Sequence, residues 1–277
     1  MDISWIESIV FGIISGLTEI LPVSSQAHQS ILLNLFGVSQ PNGLLGLFAL
    51  TGSFLAVLAS TASAFKKMRR EFALSKSRRR RQKKAVNYQT VFDWNFLKTA
   101  TVPVILSLLL HGKISSWREL MPVVSVLLAI NGLVLYVPSY LSRGNKDSRS
   151  MSGLDGLLFG LGSSLGLLPG FSRVGSGFST ALARGADGQQ AFRWCLLLSV
   201  PALAGLICVE AFAVFSGELS GLETQFLLKC VVTAITSCIG TNIGIRIMKA
   251  VAGRSGLEGF SYYSWGAALF SFILYLY

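Results

Sequence analysis

Charged side chains are scarce in this sequence. Asp, Glu, Lys and Arg make up 13% of its 277 residues, whereas about 25% is usual in a soluble domain. Hydrophobic residues make up 52%, and the mean hydropathy is +0.58. This balance excludes a soluble globular domain and indicates a protein that crosses a membrane several times.

Cysteine and histidine are also few. The chain has no C-x-x-C pair, and its four cysteines fall inside apolar stretches, at positions 195, 208, 230 and 238. They favour neither a disulfide framework nor a zinc site. We interpret them as small buried residues.

A basic N-terminal region, which a secretory signal peptide requires, is missing too. The first apolar stretch, residues 3–21, begins beside Asp2, contains Glu7 and carries Glu19 within its apolar run. We therefore expect this stretch to remain in the mature fold.

Six apolar stretches come close to the roughly 20 residues that a helix needs to cross the bilayer core. They are residues 43–65, 96–110, 120–141, 194–215, 226–247 and 260–277. The sequence therefore predicts an all-α polytopic membrane protein with six transmembrane helices.

Lysine and arginine are unevenly distributed, and this sets the expected orientation. Twelve of the 24 basic residues lie in the loop 66–98, which the positive-inside rule places in the cytoplasm. Threading the spans from there puts 20 of the 24 on that side. A nucleic-acid patch is the competing interpretation of the basic run 78–84. Because no aromatic residues are interleaved with this run, we expect no nucleic-acid partner.

Two polar segments, residues 16–28 and 166–176, interrupt apolar stretches. The same threading requires that neither segment crosses the membrane. Residues 3–38 should enter and leave on the outer side, and residues 154–183 on the cytoplasmic side. The sequence thus predicts two oppositely oriented re-entrant helical hairpins, with ordinary kinked spans as the alternative.

Each hairpin is followed by three spans, which predicts an inverted repeat of residues 1–150 and 151–277 in one membrane domain. Aligning Pro22 with Pro169 also matches Leu21 with Leu168 at an offset of 147 residues. Glycine-rich stretches at 153–166 and 240–244 indicate close helix packing. We expect that packing within the protomer, with a homodimer as the alternative.

Arg173 in the second polar segment is a permanent cation at membrane depth, where ionisable groups are functional candidates. Its planar fork suits phosphate oxygens. Ser172, Gly175 and Ser176 beside it can add hydroxyl and backbone donors. This segment therefore predicts a phosphate-binding site.

The first polar segment adds a carboxylate, two hydroxyls and an imidazole. Glu19 can hold a divalent cation or a water molecule, and Ser24, Ser25 and His28 follow it closely. Together with Arg173, this set suits phosphoryl chemistry. A structural ion pair between Glu19 and Arg173 is the alternative.

The motif G-L-T-E-I-L-P-V-S-S-Q-A-H at 16–28, with P-G-F-S-R at 169–173, closely resembles the two signature motifs of the undecaprenyl-diphosphate phosphatase family, the bacitracin-resistance family of bacterial membrane enzymes. The resemblance extends over essentially the whole chain, including Pro201 followed by Glu210. It implies hydrolysis of undecaprenyl diphosphate to the monophosphate carrier of cell-wall synthesis. It further implies a divalent cation, magnesium or calcium, and a site open to the outer face of the bacterial plasma membrane.

Carried over by position, Glu19 matches the second carboxylate of the family's E-x-x-x-E pair, which binds the metal or orients water. Ser25 and His28 match the residues proposed as nucleophile, with the histidine also proposed as acid/base, and the choice between them is open. Arg173 matches the diphosphate-binding arginine. The substrate-binding residues expected with it are Ser24, Gly170, Ser172 and Ser176.

The chain departs from the family pattern at two positions. Ser15 stands where the first glutamate is expected, and Val174 stands where a serine is usual. One carboxylate binds a divalent ion more weakly, unless substrate or Glu210 completes the shell. This supports a second hypothesis, a polyprenyl-phosphate transporter that uses the same cavity. We interpret the remaining histidine, His111, as an interfacial residue.

Overall fold

A computed structural model describes residues 3–38, 43–76, 87–141, 144–216, 223–253 and 257–276. In these ranges the regular structure is helical, and no β-strand is present. The α-helices are α1 (Trp5–Ile20), α2 (Ser25–Leu35), α3 (Gly43–Lys76), α4 (Tyr88–Ser107), α5 (His111–Ile114), α6 (Met121–Tyr136), α7 (Gly153–Ser164), α8 (Arg173–Ala183), α9 (Gly188–Ser216), α10 (Thr224–Val251) and α11 (Glu258–Leu276). Short 3₁₀ turns lie at Leu108–Leu110, Ser115–Glu119, Val137–Tyr140 and Leu165–Leu167.

Within the described ranges, five helical segments are long and apolar enough to cross a membrane. They are Gly43–Ser75, Gln89–Glu119, Met121–Tyr140, Gly188–Ser216 and Thr224–Val251. The predicted all-helical, multi-pass membrane protein is therefore confirmed, with five of the six predicted spans. The sixth prediction falls on α11, a 19-residue helix whose first turns are made polar by serines and tyrosines. The basic run 78–84 lies outside the described residues.

Two pairs of short helices lie where the hairpins are predicted. The α1–α2 pair has 16 and 11 residues, and the α7–α8 pair has 12 and 11. Each helix is shorter than the roughly 20 residues needed to cross the bilayer core. The chain reverses at two short tips, residues 21–24 (the first tip) and 168–172 (the second tip).

Both hairpins begin with the same local device. Ser4 and Glu7 form a capping box at the start of α1, and Ser152 and Asp155 form one at the start of α7, 148 residues later. Each box satisfies two backbone N–H groups that a helix start leaves free. The caps repeat at an offset of 148 residues and the prolines at 147, because the stretch from cap to proline is one residue shorter in the second hairpin.

Each hairpin packs against a long helix from the other half of the chain. A Cβ on Gly12 or Gly16 of α1 would collide with the backbone of α10, and a Cβ on Gly160 of α7 would collide with the backbone of α4. Small residues allow this close approach of helix backbones. The glycine-rich stretches therefore pack within the protomer, as expected.

The long helices complete a matching pattern of contacts. Helix α6 packs along α11, α3 packs against α9 and α10, and α9 also packs against α4. A buried aromatic cluster of Phe96, Phe159 and Trp194 joins α4, α7 and α9. This framework holds both tips in the interior of the bundle.

Candidate active site

The two tips bind each other directly. Ser24 has φ +63°, a conformation unusual for a serine, and its Oγ accepts a hydrogen bond from the Gly170 N–H at 3.1 Å. In return, Ser172 Oγ donates to the Leu21 carbonyl at 3.1 Å. Both serines also cap the helix that follows, α2 or α8. These two hydrogen bonds, made by the serines that cap α2 and α8, thus fix the position of each tip relative to the other.

Asn131, in the middle of α6, joins the same tips. Its Oδ1 accepts from the Ser172 N–H at 3.0 Å, and its Nδ2 donates to the Pro22 carbonyl at 3.2 Å. The residue is fully buried. Sequence reasoning missed it, although an asparagine inside an apolar span is itself a signal.

The predicted ionisable groups meet beside the tips. Arg173 Nη2 donates to Glu19 Oε1 at 2.6 Å, and the two side chains are 12% and 10% exposed. Ser25 donates through its hydroxyl to the other oxygen of the same carboxylate, Glu19 Oε2. Arg173 Nε is buried without a hydrogen-bond partner. The Glu19 carboxylate therefore accepts hydrogen bonds from both the Ser25 hydroxyl and the Arg173 guanidinium.

These groups line a cavity of about 510 Å³. Glu19, Ser25, Ser172 and Arg173 lie on its wall, whereas Ser24, His28, Gly170 and Ser176 do not. Its apolar wall includes Phe11, Leu45, Leu47 and Leu50 from α1 and α3. The cavity opens where its lining residues become exposed, at Asn34 and Gly43 and in the turn Ser115–Glu119. We call this end the cavity mouth.

Comparison with known proteins gives a family match over residues 8–270, to the model described as bacitracin resistance protein BacA. The chain belongs to the BacA family. Similar relatives include undecaprenyl-diphosphatase 1 of Shouchella clausii, 27% identical over 272 residues, covering 98% of this chain and 96% of the relative. The undecaprenyl-diphosphatase of Methanobrevibacter smithii is 28% identical over 280 residues, covering 99% and 98%. That of Bifidobacterium longum is 30% identical over 274 residues, covering 96% and 92%.

In this BacA family member, His28 is held on both sides. Its Nδ1 lies 2.7 Å from the Ser24 carbonyl oxygen, and its Nε2 lies 2.7 Å from the Tyr263 hydroxyl. A carbonyl only accepts, so Nδ1 carries the proton and Nε2 accepts from Tyr263. The ring also stacks on Tyr263, with centroids 5.6 Å apart. His28 thus stabilises the first tip through the Ser24 carbonyl, and it does not line the cavity.

A second ionic group lies at the cavity mouth. Arg118 Nη2 donates to Glu210 Oε1 at 2.5 Å, and His111 Nε2 lies 3.1 Å from the same oxygen. The His111 side chain is buried and hydrogen-bonded in this group, and its position at the membrane interface stays a prediction. Arg118, Glu119 and Glu210 all line the cavity. Arg118 lies between two predicted spans, and its distance along the chain from Glu210 hides their proximity.

The donor set does not fit a divalent cation held by protein groups alone. In the described part of the chain, no three His, Cys, Asp or Glu side chains are grouped to hold a metal. Both oxygens of Glu19 are engaged by Arg173 and Ser25. Ser15, one turn before Glu19, is buried with an unpaired hydroxyl and lies off the cavity wall.

Proposed function

We propose that this chain is an undecaprenyl-diphosphate phosphatase, which hydrolyses the lipid diphosphate to undecaprenyl phosphate and inorganic phosphate. The observation that carries the proposal is the Ser25–Glu19–Arg173 arrangement on a cavity wall. Membership of the BacA family supports it, as do the names of the relatives. Recycling of the cell-wall lipid carrier, and with it bacitracin resistance, follows from this activity.

Ser25 is the proposed nucleophile and Glu19 its general base. The Ser25 oxygen attacks the terminal phosphorus, its proton passes to Glu19, and the bond to the bridging oxygen breaks, so that undecaprenyl phosphate leaves. Glu19 passes this proton to the departing undecaprenyl phosphate. A water molecule then attacks the phosphoserine and gives a proton to Glu19, the bond between phosphorus and the Ser25 oxygen breaks, and Glu19 returns the proton to that oxygen as inorganic phosphate leaves. A hydroxyl needs such an adjacent base. The hydrogen bond to the Glu19 carboxylate supplies one.

Arg173 stabilises the negative charge that develops on the transferred phosphoryl group. Its planar guanidinium can bind two phosphate oxygens at once, and Glu19 engages it through Nη2. Ser172 faces the cavity beside it. Ser24 and Gly170 support the site through the bond between the tips. The role of Ser176 in substrate binding stays a prediction.

We assign His28 to positioning in this reaction. The Nδ1 bond to the Ser24 carbonyl holds the residue immediately before Ser25. With both ring nitrogens engaged, the geometry favours Ser25 over His28 as nucleophile. A direct acid/base or nucleophilic role for His28 stays the alternative.

The divalent cation, magnesium or calcium, is proposed to arrive with the diphosphate. Magnesium is commonly bound by one or two carboxylates together with substrate phosphates. Glu19 is the residue that would hold the ion, and the ion would draw most of its ligands from the diphosphate and offset the negative charge of its oxygens. The charge balance of the cavity supports this, because Arg118 and Arg173 face three carboxylates, those of Glu19, Glu119 and Glu210.

The arrangement in the membrane is proposed as six spans, with α11 as the sixth, and two re-entrant hairpins in an inverted repeat of residues 1–150 and 151–277. Matching contacts support the repeat, because each hairpin packs on the second long helix of the other half. The basic loop is then cytoplasmic, and the cavity mouth faces the outside of the plasma membrane. Formation of a homodimer stays a prediction.

The deciding experiment measures phosphate release from a C55 or shorter prenyl diphosphate by purified protein with magnesium or calcium. Wild type and Ser30→Ala should release phosphate, and Ser25→Ala should be slower by at least about 100-fold. Ser30 is a matched control, because it lies on α2 and lines the same cavity, and within the described residues its hydroxyl bonds only to the Gln26 carbonyl. No release by wild type that still binds pyrophosphate would overturn the proposal and favour transport.

A further inference from the structure

Arg118 lines the same cavity as Arg173 but comes from a different part of the fold. It lies in the 3₁₀ turn Ser115–Glu119 at the cavity mouth. Its side chain is 26% exposed, and its Nη2 lies 2.5 Å from Glu210 Oε1 of α9. Among the described residues of the cavity wall, Arg118 and Arg173 are the two cations.

Arg118 and Arg173 have similar surroundings. Each is neutralised by a single glutamate from the other half of the chain, Arg173 by Glu19 and Arg118 by Glu210. Each also keeps guanidinium nitrogens that have no partner in the described structure, since Arg118 uses only Nη2. Both groups are therefore preorganised to accept phosphate oxygens without leaving their glutamates entirely.

The surroundings of Arg118 hold it at the wall rather than in solvent. His111 Nε2 lies 2.8 Å from Arg118 Nη2 and 3.1 Å from Glu210 Oε1. The imidazole accepts from the arginine when this nitrogen is unprotonated. Glu119 is exposed beside the pair and adds a negative charge at the mouth. A lone diphosphate would be repelled by these carboxylates unless Arg118 contacts it directly.

We propose that Arg118 is a second diphosphate ligand, which binds the headgroup from the mouth side while Arg173 binds it beside Ser25. This inference rests on the proposed function and extends it to a residue outside the two signature motifs. When the diphosphate enters, oxygens of the headgroup take the free guanidinium donors of Arg118. Glu210 is then a positioning residue that aims the arginine and limits its affinity for anions.

Binding of inorganic pyrophosphate, measured by calorimetry on purified protein, tests the proposal. Arg118→Gln should weaken binding about tenfold, the loss of a charge-assisted contact, and raise KM for the prenyl diphosphate by a similar factor. Arg118→Lys should lose less, because it keeps the charge but not the fork. Lys113→Gln is the matched control, since Lys113 is exposed at the same end and off the cavity wall.

Glu210→Gln separates a ligand from a structural ion pair. If Arg118 is a ligand, this variant should bind pyrophosphate as tightly as wild type or more tightly, and the gain should vanish in Arg118→Gln/Glu210→Gln. If the pair only supports the fold, Arg118→Gln and Glu210→Gln should weaken binding equally and lower the melting temperature equally, which would overturn the proposal.

The same measurements distinguish failure of this inference from failure of the proposed function. Phosphate release by wild type tests the function and does not depend on Arg118. Wild type that hydrolyses the lipid, with unchanged pyrophosphate binding and KM in folded Arg118→Gln and Arg118→Lys, would remove Arg118 from the site and leave the phosphatase intact. Arg118-dependent binding without hydrolysis would keep the anion site and remove the enzyme.

Discussion

Ser24 caps α2 and Ser172 caps α8, the second helix of each hairpin. Each serine also forms a hydrogen bond with the opposite tip. Ser24 accepts from the Gly170 N–H, and Ser172 donates to the Leu21 carbonyl, both at 3.1 Å. The two serines are 148 residues apart in the chain. Because Ser25 and Arg173 directly follow these caps, this exchange sets the distance between the proposed nucleophile and the proposed phosphate ligand.

Gly170→Ala should damage the second tip. Gly170 has φ +130°, and a Cβ there would collide with the backbone at Leu127 and Leu128. Strained backbone of this kind costs about 1 to 3 kcal/mol before the collision is counted. We expect a lower melting temperature in detergent and loss of phosphate release. Gly266→Ala is the control, because a Cβ there meets nothing within 4 Å; equal behaviour of the two variants would contradict this account of the tip.

Substitutions at His28 should separate positioning from acid/base chemistry. His28→Ala should reduce phosphate release by at least about 100-fold, since the bond to the Ser24 carbonyl is lost. His28→Asn keeps a side-chain N–H near the position of Nδ1 and should recover much of the activity. Tyr263→Phe removes only the bond to Nε2 and should cost less than about tenfold.

The control for this series is the melting temperature of each variant, measured beside its rate. If His28→Asn is folded and as inactive as His28→Ala, the ring itself takes part in the chemistry. That result would reverse the preference for Ser25 acting with Glu19 alone.

Magnesium should stabilise the protein only when a diphosphate is present. Both Glu19 oxygens are engaged in the free protein, so the ion needs the phosphate oxygens for most of its ligands. We expect no shift in melting temperature with magnesium alone and a clear shift with magnesium plus pyrophosphate. A chelator should stop phosphate release without unfolding the protein. A shift with magnesium alone would mean that a preformed metal site exists.

Cysteine labelling in cells should reveal the orientation. Ser116 lies in the turn at the cavity mouth and Ala73 near the far end of α3, and both are exposed. In a background with Cys208, the exposed cysteine, replaced by alanine, a membrane-impermeant thiol reagent should label Ser116→Cys and not Ala73→Cys. Permeabilised cells should label both. The opposite pattern would invert the proposed topology.

Much of the fold could be predicted from hydropathy, because long apolar runs and short polar interruptions have few structural solutions in a bilayer. The sequence also predicted that Glu19, Ser25 and Arg173 lie close together, because their two motifs occupy similar depths in the expected hairpins. The sequence could not reveal that His28 lies off the cavity wall. Residues three apart, such as Ser25 and His28, are expected on one face of a helix, whereas the His28 ring contacts Tyr263 of α11. Asn131 and Arg118 were missed because only tertiary packing brings α6 to the tips and the Ser115–Glu119 turn to the cavity.

The exchange of hydrogen bonds between the tips has a consequence for biosynthesis. Ribosomes add about 5 to 20 residues per second, so about 7 to 30 s pass between the synthesis of Ser24 and that of Ser172, 148 residues later. Throughout that interval the first tip lacks the Gly170 N–H, the Arg173 cation and the bond from Ser172 to the Leu21 carbonyl. A nascent chain therefore carries the proposed nucleophile, Ser25, without these partners, and we expect phosphate release only after the second tip has been synthesised and has folded against the first.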